Sequence, residues 1–177
     1  MKCVILGVGN LLLRDEGIGV HVAQALKGML LPDGVEVVDG GTSPDLPYLV
    51  EGADKLVVVD AVRAGGEPGT IYRLTPEDIA ARPEALMSIH QMGLLESLRA
   101  LRLGDGPKEV VIIGVEPKEM SWGLELSPEL RKRLLEIIKV TLREVEGGEE
   151  DAGLWTETHG GNLRLPRRRA QNLPGGL

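Results

Sequence analysis

The chain has no phenylalanine, and only two tryptophans and two tyrosines. Its core must therefore be built from aliphatic side chains. A single cysteine, Cys3, excludes an intrachain disulfide and any zinc site made of several cysteines. It opens an apolar run and reads as a small buried core residue. Positive charge is also scarce, with 20 Lys and Arg against 27 Asp and Glu, for a formal net charge of −7. That disfavours nonspecific binding to nucleic acid or to an anionic membrane surface. No apolar run approaches the roughly 20 residues of a transmembrane helix. Lys2 and the residues after it have the outline of a signal peptide. The run is short, however, breaks at glycines, and is followed by no A-x-A-like site. The expectation is a first strand in a cytoplasmic protein without membrane insertion. No Ser–His–Asp arrangement, Cys–His pair or H-E-x-x-H helix is evident either.

What the chain does have is 42% hydrophobic residues over 177 positions, enough for one domain with a sizeable core. Continuous apolar runs at 3–8 (CVILGV), 55–60 (KLVVVD) and 109–115 (EVVIIGV) suit strands buried on both faces. Residues 35–38 (VEVV) predict a further strand ending at Asp39-Gly40-Gly41-Thr42. Helical spacing recurs from about 16 to 30 through Ile18, Val22, Ala25, Leu26 and Met29. Short or longer helices are expected near 44–52, at 92–103 (Leu94, Leu95, Leu98, Leu101) and from Ser127-Pro128-Glu129 to about 146. Thr75, Pro76 and Asp78 form a capping-type helix start. The loop between 60 and the strand at 70–74 (TIYRL) is too short for a crossover helix, so that strand should run antiparallel at an edge. The pattern predicts a single three-layer α/β/α domain over 1–146. Its five-stranded, mostly parallel sheet has one antiparallel edge strand and helices on both faces. Residues 147–177 read as a polar tail of little intrinsic structure.

In an open α/β sheet the ligand site lies beyond the carboxyl ends of the strands. Asn10, Asp15 and Glu16 follow the first strand, Asp39 ends the second, Asp60 ends the third, and Glu116 follows the fifth. His90, in SIHQMG, precedes the helix leading into the fifth and can fold back over the same edge. Carboxylates gathered at one edge repel unless something positive neutralises them. Glu16, Asp60 and His90 would offer oxygen, oxygen and nitrogen to a first-row ion such as nickel, zinc or iron. Each also has a plain structural reading. Acids suit a helix start, Asp15 can be an N-cap, Asp60 can cap a loop, and His90 can be a hydrogen-bonded loop histidine.

A second reading is a dinucleotide-binding domain, since Gly7-x-Gly9 follows a strand and Asp39 could imitate a ribose-binding acid. Against it, Leu12 stands where the third glycine belongs, and the acids at the helix start would repel a pyrophosphate.

Taken in order, the motifs resemble the hydrogenase maturation endopeptidases, which process the large subunit of nickel-iron hydrogenases. The GxGN…D-[DE]-G segment is Gly7 to Gly17, and D-G-G-T is 39–42. V-D-A is 59–61, and the P-G-x-I-x-x-L strand runs from Pro68 to Leu74. S-x-H is 88–90, G-[IV]-[QE]-P is 114–117, and W-G-x-x-L-S is Trp122 to Ser127. The match spans about residues 3–145. Ser43-Pro44-Asp45 departs from the glycine that many members carry after D-G-G-T.

The resemblance implies that Glu16, Asp60 and His90 are the metal-binding and catalytic residues. It implies a hydrogenase large-subunit precursor as partner, with nickel supplied by that substrate as the recognition signal for removal of a C-terminal extension. Asp15 would orient a ligand or water beside them. With so few ligands, the free protein would hold metal weakly or not at all. A module that checks nickel without cutting would share every motif. In the tail, Trp155, His159 and Arg167–Arg169 read either as a docking arm for an acidic precursor or as a solvated tail. His21 is expected on the exposed face of the first helix, away from Glu16.

Overall fold

A computed structural model describes residues 1–43, 45–81, 96–97, 106–147 and 162–164. The elements run β1 (Cys3–Val8), a 3-10 turn (Arg14–Gly17), α1 (Ile18–Lys27), β2 (Val35–Gly41), α2 (Leu46–Leu49), β3 (Lys55–Ala61) and β4 (Ile71–Leu74). They continue with α3 (Pro76–Ala81), β5 (Glu109–Val115), α4 (Pro128–Val145) and β6 (Asn162–Arg164). The sheet order is β2-β1-β3-β5-β4-β6. Strands β2, β1, β3 and β5 are mutually parallel, and β4 runs antiparallel to β5, with Ile71 opposite Val115.

The five expected strands and the antiparallel sense of β4 are present. The sequence places β4 at the edge and leaves the tail without structure. In the structure the three-residue β6 lies outside β4 and pairs with it in parallel, Ile71 opposite Asn162. An open strand edge presents unpaired backbone groups, and β6 covers part of that row. The helix predicted over 92–103 lies outside the described residues, apart from Glu96-Ser97, which are helical. Among the described residues, no helix is long and apolar enough to cross a membrane.

Alternation along the strands divides the core in two. Cys3 and Ile5 of β1, Val57 and Val59 of β3, and Val111 and Ile113 of β5 pack with Ile18, Val22 and Leu26 of α1 and with Leu130, Ile137 and Ile138 of α4. Val4 and Leu6, Leu56 and Val58, and Ile112 face the other way, with Tyr72, Leu74 and Ile79. Each such side chain contributes about 1.5–3 kcal/mol when fully buried. Burial pushes the Cys3 thiol above its ordinary pKa, in keeping with the inert core residue expected. At the amino ends of the strands, buried Lys55 bonds Glu144 (3.3 Å), and Arg73 grips the same carboxylate with two hydrogen bonds (2.7 and 2.8 Å). Burial disfavours the charged Glu144, yet Arg73 and Lys55 together hold its pKa below the ordinary value. This fastens α4 to the sheet at the end opposite the acids considered below.

Two helix starts follow the sequence closely. Thr75 and Asp78 exchange backbone-to-side-chain bonds (2.8 and 3.3 Å), and the Ser127 hydroxyl accepts from the Leu130 N–H (3.4 Å). The glycines after β1 have a packing role. A side chain on Gly19 would drive into the carbonyl oxygens of Val59 and Val8. One on Gly9, at φ +130°, would strike the carbonyl of Glu16. Bare backbone at these positions lets α1 and the turn before it lie directly on β1 and β3.

Gly19→Ala is accordingly expected to destabilise the protein by about 1–3 kcal/mol through overpacking against backbone. Gly28→Ala, whose Cβ would meet only the Ala25 carbonyl at 3.6 Å, should stay within about 0.5 kcal/mol of wild type. Urea denaturation of the two variants checks the contrast.

Candidate active site

After β1 the chain crosses to β2 on one side, then returns to β3 on the other. The carboxyl ends of β1 and β3 therefore flank a topological switch point, where such sheets open a crevice. Glu16 sits in the 3-10 turn that follows β1 and packs against β3. Asp60 is the penultimate residue of β3, opposite Gly114 of β5. Both are buried, at 7% and 4% exposure. The Ala61 N–H donates to Asp60 Oδ1 (2.8 Å). The structure thus brings Glu16 and Asp60 to one edge, as the sequence predicts. His90, the third predicted residue, lies outside the described residues, as do Trp155, His159 and Arg167–Arg169. Among the described residues, no group of three His, Cys, Asp or Glu side chains could hold a metal ion. The two described acids have the hard oxygen donors that a first-row ion would accept as part of a larger set.

Asp15 does something the sequence does not suggest. Its carboxylate is fully buried and caps no helix. Oδ2 accepts from the backbone N–H groups of Lys118 and Glu119 (2.9 Å each), and Oδ1 accepts from that of Ser127 (2.7 Å). One side chain thereby gathers both ends of the 116–127 loop onto the turn that carries Glu16. The backbone joins in: Arg14 N–H donates to the Gly123 carbonyl, and Gly123 N–H to that of Leu12 (2.9 Å each). Glu116 pins a second loop. Its Oε2 accepts from the Tyr72 hydroxyl (2.7 Å) and from the Ala64 and Gly66 N–H groups (2.8 and 3.3 Å), fixing the segment after Asp60. Sequence reasoning misses both clamps because their partners lie tens of residues away.

His21 also departs from expectation. It is half-buried, beside the Leu124 backbone and Asp15, because the clamped loop folds over the start of α1. Burial holds its pKa below the ordinary value. Leu12, Trp122 and Leu124 remain 51%, 77% and 64% exposed. The Leu12–Gly123 bond brings Leu12 beside the loop segment that carries Trp122 and Leu124.

A mostly parallel, doubly wound α/β sheet with two buried acids at its switch point and exposed apolar side chains on a neighbouring loop defines the class of scaffold. A family model described as hydrogenase maturation protease matches residues 20–144. The hydrogenase 2 maturation protease of Escherichia coli is 38% identical over 151 residues, covering 81% of this chain and 92% of that one. Among solved structures, the hydrogenase maturating endopeptidase HybD from E. coli superposes with a TM-score of 0.76 at 35% identity, covering 84% of this chain and 94% of that one. The [NiFe] hydrogenase maturation protease HybD from Thermococcus kodakarensis gives 0.67 at 28% identity, covering 79% and 96%. The chain belongs to the hydrogenase maturation protease family and is a peptidase.

The clamps make two predictions. Asp15→Ala strands three backbone donors and should cost about 3 kcal/mol or more, with Asp15→Asn intermediate; denaturation and faster amide exchange at Lys118 and Glu119 report it. Burial, with Glu116 beside it, raises the Tyr72 pKa. The folded state then holds that proton more tightly than the unfolded chain does. The associated stability is complete below the ordinary phenol pKa of about 10 and is lost as pH climbs above it. Denaturation midpoints between pH 8 and 12 should fall more steeply for wild type than for Tyr72→Phe.

Proposed function

We propose that the protein is the endopeptidase that removes the C-terminal extension of a nickel-iron hydrogenase large-subunit precursor, and that nickel already inserted in the precursor is its recognition signal. The observation that carries this reading is the placement of Glu16 and Asp60 at one switch-point edge. His90 is assigned as the third ligand on the strength of the sequence. Together the three would reach the substrate's nickel and complete its coordination. Two carboxylates and one imidazole leave coordination positions open, which the precursor's own ligands would fill. Nickel so held would supply Lewis acidity toward the scissile peptide. The exposure of Leu12, Trp122 and Leu124, on segments joined by the Gly123–Leu12 bond, supports a substrate that is a protein surface instead of a small molecule.

The test is incubation with precursor, with and without its nickel, followed by mass spectrometry. Loss of the extension only from loaded precursor is expected. Glu16→Ala, Asp60→Ala and His90→Ala should each lower the rate at least about a hundredfold. Calorimetry on the free protein should show weak nickel binding. Nanomolar, stoichiometric binding would contradict the substrate-borne metal, and tight precursor binding without cutting would indicate a checkpoint protein.

A further inference from the structure

Arg63 lies three residues beyond Asp60 and is exposed. Its backbone is held on both sides: Val62 N–H donates to the Val115 carbonyl (2.9 Å), and Ala64 N–H to Glu116 (2.8 Å). The guanidinium therefore projects from a fixed base at the rim of the acidic edge. Among the described residues, its Nε and Nη2 approach only the thioether of Met120, at 3.2 and 3.1 Å. A thioether is a weak acceptor, so the charge and most of the donor capacity remain unused. Nearby carboxylates are engaged elsewhere. Glu116 serves Tyr72 and two backbone groups, while Glu119 faces Arg14 (3.5 Å) and Ser121 (2.6 Å). Arg14, Lys118 and Arg131, around the same loops, all have acidic partners. Arg63 forms no ion pair with a described residue, in a chain carrying a net charge of −7.

A cation beside carboxylates that are to meet a metal ion opposes that encounter unless it has an anion of its own to meet. Resting on the endopeptidase reading, we propose that Arg63 is a specificity-determining residue that binds a carboxylate side chain of the precursor close to the segment being cut. The planar guanidinium matches a carboxylate with two parallel hydrogen bonds, which would fix the register of the substrate over Glu16 and Asp60. The contact belongs to binding, not to the chemical step.

Steady-state cleavage of nickel-loaded precursor tests this. Arg63→Met should raise KM about tenfold and Arg63→Glu more, with kcat within about twofold of wild type and Arg63→Lys partly restored. Their denaturation midpoints should match wild type, since the side chain is exposed and forms no ion pair with a described residue. Reversing acidic residues of the precursor to Lys, one at a time around the cut, should reveal one position whose loss with wild type is rescued by Arg63→Glu. An unchanged KM for Arg63→Glu overturns the proposal. So does a KM effect with no coupled precursor carboxylate, which would mean contact with a peptide carbonyl. Either result leaves the endopeptidase reading intact if wild type cuts. Failure of wild type to cut any loaded precursor overturns both.

Discussion

The site depends on one buried carboxylate. Asp15 accepts three backbone N–H bonds from residues more than a hundred positions away. Without it, the 116–127 loop would have three unmet donors and would be tied to the Glu16 turn only by the backbone bonds of Leu12, Arg14 and Asp15 and the Arg14–Glu119 ion pair among the described residues. With it, the loop is drawn over the start of α1, His21 is covered, and Trp122 and Leu124 are presented beside Leu12. The adjacent Glu16 then stands on backbone that is already fixed. Charge-assisted bonds to backbone groups suit this purpose, since they are shorter and stronger than neutral ones.

The glycine-rich opening is explained by the same geometry. In a nucleotide-binding fold such glycines let backbone approach a pyrophosphate. Here Gly9 and Gly19 let the turn and helix approach β1 and β3, so that acids instead of a phosphate fill the switch point. Glu116 does for the loop after Asp60 what Asp15 does for the loop before α4. Two predicted acids thus stand on strand ends and turns stiffened by two further acids whose roles are structural. Under the proposed function, this division would preorganise the two acids for an ion that arrives with the substrate.

Much of the fold was legible because its causes are local. Alternating burial in β1, β3 and β5 shows as apolar runs, and the caps at Thr75 and Ser127 show as residue types three apart. The antiparallel β4 followed from loop length. Glu16 and Asp60 could be placed at one edge because strand ends in a parallel sheet share a side. Illegible were the features set by distant partners. Asp15 reads as a helix-start acid, Glu116 as part of a turn, and His21 as an exposed helix residue; only the folded loop shows otherwise. The pairing of 162–164 with β4 is of the same kind: the polar–apolar alternation of Asn162-Leu163-Arg164 is too short to mark a strand without its distant partner.

The central claim is that the acidic edge joins the coordination of a nickel ion brought by the substrate. Nickel-edge X-ray absorption measures that directly, on loaded precursor alone and after adding an excess of this protein carrying Asp60→Asn, chosen to slow cutting, alongside rapidly frozen wild-type complex. The account predicts additional oxygen or nitrogen ligands in the wild-type complex, fewer in the variant complex, and neither in precursor alone. A nickel spectrum unchanged by bound wild-type protein would contradict it.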